Sequence, residues 1–251
     1  MSARTALGWR TAADLLADER ALRASVAGYG EWLGAHSAPV ASALAFKAYS
    51  WAVIELAVES WLLRHRVLDV SAPLVAVAGG AEGYRFRVDV PQVVVLPDDP
   101  LARSRGAVVA ADEAELLDAL RATLVDGHLA PAVEAFRRIR GGGARPLWGS
   151  VAQSLAYPAT VADPDVVGDR AAAARVLLGL LPPDVAALVE VAEIQDAEGW
   201  RPMLLRRTCC YAYALPAGDA CTTCCLLSDS ERDEVADRYG MRWRRLRPES
   251  S

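Results

Sequence analysis

Lysine is almost missing from this chain: Lys47 is the only one among 27 basic residues. Histidine is scarce as well. His36, His65 and His128 are the only three, and no metal-ligand spacing relates them. Cysteine is absent from the first 208 residues. No uninterrupted apolar run reaches the roughly 18–20 residues of a membrane span. The most apolar long stretch, 40–63, is broken by Lys47, Glu55 and Glu59 and reads as a core helix. The first twenty residues are polar and lack the apolar centre of a secretory signal, so a cytoplasmic protein is expected. Gly141-Gly142-Gly143-Ala144-Arg145 lacks the Walker pattern and a preceding strand, and reads as a flexible connection. No repeat period and no serine, cysteine or carboxylate catalytic motif is found. The net charge of −5 gives no overall attraction to nucleic acid or to an anionic membrane.

What is present is apolar: 53% of 251 residues, enough for a sizeable core. Apolar spacing predicts a helix over 12–26, ended by Gly28 and Gly30, and a long amphipathic helix over 37–64 with Pro39 in its first turn. Three short β-rich runs follow at 74–78, 84–88 and 93–96, with turns at Gly79-Gly80 and at 89–91. Helices are predicted again over 112–125, capped by Asp112, then 132–140 after a break at 127–131, then 147–161, 168–181 and 185–196. Ser228 and Glu231 form a capping-box pattern opening a last helix that ends at Gly240. The basic tail 241–251 reads as a solvated end. The expected fold class is α+β, predominantly helical: a helical body, a small antiparallel β-meander at about 74–96, and a C-terminal cysteine loop. Three segments are expected: 1–105 with the N-terminal helices and meander, 106–200 as the helical body, and 201–251 carrying the cysteines.

All five cysteines fall within seventeen residues, as Cys209-Cys210, ten residues, then Cys221-Thr222-Thr223-Cys224-Cys225. Clustered thiols in a reducing compartment point to metal or redox chemistry rather than structural disulfides. Cys221-x-x-Cys224 is a good half of a zinc site. Cys209-Cys210 is a poor other half, because adjacent side chains on an extended chain point to opposite sides. A two-iron cluster relaxes that demand, since its thiolates divide between two irons. Cluster, zinc and redox disulfide all remain open on spacing alone. Trp148 and Trp200 read first as core residues, and His128 as a buried hydrogen-bonding group. Arg206 and Arg207 read equally as a solvated helix end or as a positive field over the thiols.

Arg206-Arg207-Thr208-Cys209-Cys210, the ten-residue gap and Cys221-x-x-Cys224 resemble the C-terminal motif of the FhuF-like ferric-siderophore reductases. His128-Leu129-x-Pro131 and Leu147-Trp148-Gly149-Ser150-Val151-Ala152 are similar to that family too. The likeness runs over residues 120–227 by motif and over the N-terminal half only by size. It implies that Cys209, Cys210, Cys221 and Cys224 ligate a [2Fe-2S] cluster. It further implies one-electron reduction of a ferric siderophore, hydroxamate type foremost, with release of Fe2+ and an electron donor of unspecified identity. Arg206, Arg207, His128 and Trp148 become candidates for supporting or docking roles. Two positions depart from the pattern. Cys225 stands where a non-ligand such as proline is expected, which makes it an alternative fourth ligand. Ser150 stands where asparagine usually follows the tryptophan-glycine pair. The competing readings are a zinc-stabilised binding module with a structural four-cysteine site, and a siderophore-biosynthesis protein sharing the helical fold.

Overall fold

The computed structural model describes residues 8–80, 82–89, 92–197, 199–216, 218, 220 and 223–246. Its fold is α+β and predominantly helical. The chain begins with β1 (Arg10–Thr11), α1 (Ala12–Ala17) and α2 (Glu19–Leu33). The single helix predicted over 12–26 is therefore two. Asp18 separates them, its carboxylate accepting from Ala21 N at 3.0 Å and so starting a fresh helix. Nor do Gly28 and Gly30 end the second one. Gly30 lies inside α2 because the next helix passes there: a Cβ on it would sit 2.5 Å from the Ala41 Cβ.

That next helix, α3 (Ala38–Arg64), is the spine of the molecule. Phe46, Tyr49, Val53, Ile54, Ala57 and Val58 are completely buried along it. It is long and apolar enough to span a membrane, yet 61% of its most apolar window is buried inside the protein. His65, in the left-handed conformation, caps its C-terminus and turns the chain into β2 (Arg66–Leu68).

The predicted meander is instead divided between two sheets. β3 (Val75–Gly80) and β4 (Gly83–Val88) form an antiparallel hairpin beside β1. Gly79 and Gly80 belong to β3 and pair with Tyr84 and Gly83, so the turn falls between them. β5 (Val93–Val95) leaves the hairpin, pairs antiparallel with β2 and runs parallel to β6 (Ala107–Val109). The driving force is burial: Val67 of β2 and Val95 of β5 are fully buried there. The turn predicted at 89–91 falls partly outside the described residues.

Asp112 caps α4 (Glu113–Leu120) as predicted, accepting from Glu115 N at 3.0 Å. The predicted break at 127–131 does not occur. The chain widens into a π-helical stretch, Arg121–Leu129, and continues directly as α5 (Ala130–Arg140). Ala130 N reaches Val125 O across that wider turn. Pro131 follows in the first turn of α5, where a missing N–H does little harm. Beyond the glycine triplet, α6 (Arg145–Val161), α7 (Pro164–Val167), α8 (Arg170–Leu178) and α9 (Pro183–Ala186) complete the helical body.

The helix predicted over 185–196 is a strand. β7 (Val189–Asp196) pairs antiparallel with β8 (Gly199–Arg206) on one side and β9 (Arg242–Arg245) on the other. Val189, Val191 and Ile194 are β-branched and prefer the pleated surface. Pro202 is tolerated in β8 because β8 is an edge strand. The supposedly solvated tail supplies β9, held by Arg244–Glu193 at 2.6 Å and Arg245–Glu190 at 2.5 Å. Residues 247–251 of that tail lie outside the described residues. Between β8 and β9 lies α10 (Asp229–Arg238), with the full Ser228–Glu231 capping box. The main apolar cluster draws on residues from Ala12 to Leu204. A smaller one, of Ala192, Ile194, Met203 and Leu205, underlies Met241 and Trp243.

Candidate metal centre

The cysteine segment is a loop let into the C-terminal sheet and tied down at several points. Arg206 N, at the end of β8, donates to Thr223 O at 3.2 Å, which brings the two cysteine runs side by side. Arg207 N donates to Leu188 O at 2.9 Å. Arg232 of α10 donates to Cys224 O at 3.1 Å and to Leu227 O at 3.3 Å. After Cys210 the chain reverses through Tyr211, whose φ of 63° is unusual for a bulky residue. The Tyr211 amide donates to Cys209 Sγ at 3.3 Å, and Arg140 donates to the Tyr211 hydroxyl at 3.1 Å. This left-handed turn folds the chain back so that its amide meets the Cys209 sulfur.

Cys209, Cys210 and Cys225 are half-buried and Cys224 is buried, all as free thiols. Burial pushes the Cys209 thiol above its ordinary range; the Tyr211 amide opposes this, Cys210 and Cys224 add to it, and Arg206 opposes it. Burial also raises the Cys225 thiol, reinforced by Cys209 and Cys224 and opposed by Arg206. The four described thiols thus sit within each other's electrostatic reach. Cys221, the remaining predicted ligand, lies outside the described residues. Among the described residues, no three His, Cys, Asp or Glu side chains are gathered tightly enough to form a closed metal shell.

Helix α6 supplies the floor. Gly149 is the point of contact: a Cβ there would collide with Thr208 Oγ1. Ser150 and Gln153, on the same helix, both receive hydrogen bonds from Arg206: Ser150 Oγ at 3.2 Å, and Gln153 Oε1 in a close contact. Arg206 Nε donates to Thr208 O at 3.2 Å. Arg206 is only 4% exposed, and among the described residues it pairs with no carboxylate. The tryptophan-glycine motif and the arginine-cysteine motif, nearly sixty residues apart, therefore meet in space. Trp148 itself packs against the main core.

Arg207 is more exposed and donates to Glu190 Oε2 at 3.3 Å. His128 belongs to a different place. It is fully buried on the π-helical stretch, with Nε2 2.8 Å from the Tyr49 hydroxyl and Nδ1 2.6 Å from Val70 O. Burial drives its pKa down to about 4, against the opposing Val70 carbonyl, so the ring is neutral at pH 7. The carbonyl must accept from Nδ1–H, which leaves Nε2 to accept from the tyrosine. Both nitrogens are used, and neither faces the thiols.

Residues 206–226 match the family model of the FhuF 2Fe-2S C-terminal domain. This segment, and no more of the chain, is similar to that domain. No curated protein matches the chain. The donor set of the FhuF-like segment suits the group that its domain name describes. Clustered thiols are the ligands that iron–sulfur clusters take. The Thr208 hydroxyl, next in sequence to Cys209, is buried against Gly149 and without a partner, a donor still unused at the edge of the thiol group. Arg206 adds a buried positive charge on the same side. Ser150 and Gln153 were not singled out as its partners from the sequence. Their signal was present only as helical spacing three apart on α6.

Proposed function

We propose that this chain is a cytoplasmic ferric-siderophore reductase. The observation that carries the reading is that the matched stretch, 206–226, falls where the Arg206–Thr223 bond joins the two cysteine runs. Cys209, Cys210, Cys221 and Cys224 would hold the two irons, with Cys225 as the neighbour able to replace Cys224. When bound, the cluster supplies a single electron at a potential set by its surroundings.

Hard oxygen chelators hold Fe3+ far more tightly than Fe2+, because charge density dominates their bonding. One electron added to the chelated ferric ion therefore releases the metal and spares the chelator. The protein's tasks in this reaction are to hold the thiolates, to exclude water on the α6 side, and to leave the loop's outer side open. Gly149 keeps α6 close beneath the loop, Arg206 fixes its base, and the Tyr211 turn presents the adjacent cysteines. No general base or nucleophile is required.

The test is metal analysis and spectroscopy of protein purified without oxygen. Red-brown protein with about two irons per chain, paramagnetic only after reduction and re-oxidised by a ferric siderophore, is the expected result. Colourless protein carrying one zinc would overturn the reading and favour a structural four-cysteine module.

A further inference from the structure

Tyr211 holds a backbone conformation that disfavours a side chain. Its φ is 63°, and outside glycine only His65 shares a positive value among the described residues. A left-handed backbone crowds Cβ against the following carbonyl, a clash that glycine escapes. The chain uses glycine for such a conformation at Gly141 and Gly142, yet here it keeps a tyrosine. Strain of this kind persists only where the surroundings over-determine the backbone. Two contacts do so. The Tyr211 hydroxyl accepts from Arg140 Nη2 at 3.1 Å, across 71 residues of sequence. The Tyr211 amide donates to Cys209 Sγ at 3.3 Å. Arg140 is itself a fixed post. It closes α5, whose Val133 and Phe136 are fully buried. Its Nη1 donates to Gly143 O at 3.4 Å, in the turn that leads to α6. The tyrosine side chain thus ties the cysteine loop to the junction of α5 and α6.

We propose that Arg140 and Tyr211 are positioning residues for the iron–sulfur group, acting as a latch on the Cys209 sulfur. The arginine holds the tyrosine, the tyrosine holds the left-handed turn, and the turn aims its amide at the sulfur. The proposal rests on the cluster reading and adds two residues that ligate nothing and act through one N–H. A ligating sulfur carries negative charge, and an electron added to the group increases it. An N–H aimed at that sulfur therefore favours the reduced state and raises the reduction potential. It also fixes the direction in which Cys209 presents its sulfur, as partners behind metal ligands commonly do. A glycine at 211 could make the same turn, but nothing would pin it there.

The latch is tested first in the metal-free protein, by hydrogen exchange of the Tyr211 amide read by NMR. Tyr211→Phe and Arg140→Gln should each speed that exchange about tenfold, on protein shown to be folded by circular dichroism. In cluster-loaded protein, both substitutions should lower the reduction potential in a redox titration. Both should also hasten loss of iron to a chelator about tenfold. The double variant should do no more than either single one, because the two break the same contact. Tyr211→Gly removes the strain together with the latch. Its metal-free melting temperature should hold while iron is lost as fast as in Tyr211→Phe. Unchanged exchange, potential and iron loss in Tyr211→Phe and Arg140→Gln overturn the proposal, as do effects that simply add in the double variant. The cluster reading fails separately: wild-type protein carrying one zinc and no iron sinks it, and the exchange experiment then judges the latch by itself.

Discussion

His128 and Arg206 are both polar, both buried and both hydrogen-bonded to neutral groups, yet they end in opposite electrical states. The imidazole can discharge, so burial discharges it, and its pocket between Tyr49 and Phe86 is a quiet structural knot. The guanidinium cannot lose its proton at any working pH. Burying it beside the thiols therefore installs a permanent positive field. The difference separates a residue that holds the fold from one that lies beside the thiols.

The largest expected effect lies on the site side. Cys209→Ser and Cys210→Ser should each abolish iron binding, read as lost colour and lost iron, while the melting temperature of the metal-free protein barely moves. Cys224→Ser should behave the same way and Cys225→Ser should keep the iron; the opposite pair of results would reassign the fourth ligand. On the fold side, His128→Ala should destabilise by about 2–5 kcal/mol, since it leaves a cavity and an unpartnered Tyr49 hydroxyl. Iron per folded chain should stay unchanged, and a loss of iron without a loss of stability would erase the contrast.

The same histidine sets a pH dependence. An unfolded histidine takes up a proton near pH 6.5, the folded one only near 4. Stability is full above pH 6.5, falls as the pH drops from 6.5 to 4, and has lost about 3 kcal/mol by the lower limit. Chemical denaturation across that window checks it, and His128→Phe should flatten the slope. Gly149→Ala is a smaller perturbation. Its new methyl meets the Thr208 side chain, so a loss of about 1–3 kcal/mol is expected, together with weakened iron retention. Smallest in stability is Arg206→Gln, at about 1 kcal/mol. Its signature is electrical: redox titration should show the cluster harder to reduce, and an unchanged potential would remove the field from the argument.

How much of this was legible depended on whether the signal was local. The Asp112 cap, the Ser228–Glu231 box and the spine helix were readable, because each is settled within a few residues. The cysteine motif was readable for the same reason, and the stretch that carries it matches the 2Fe-2S domain model. The C-terminal sheet was not. Apolar residues at 189, 191, 192 and 194 satisfy helical and extended spacing equally, and only the β-branched content tips the balance. Pairing with a strand nearly fifty residues later completes the choice. The rod from Glu113 to Arg140 misled through Gly127 and Pro131, which look like a stop and are absorbed by one wide turn. The Arg140–Tyr211 contact was invisible for a simpler reason: 71 residues separate its partners, and no linear pattern joins them.

The tail strand β9 has a consequence for how the protein is made. Because Arg242–Arg245 clips onto β7 behind the cysteine loop, the loop is bounded on both sides by finished structure. Neither apolar cluster contains a cysteine. The packing of the frame therefore does not depend on the thiols. On the proposed reading, cluster delivery is a late maturation step on a folded client, and metal starvation leaves a reservoir of intact protein ready for loading.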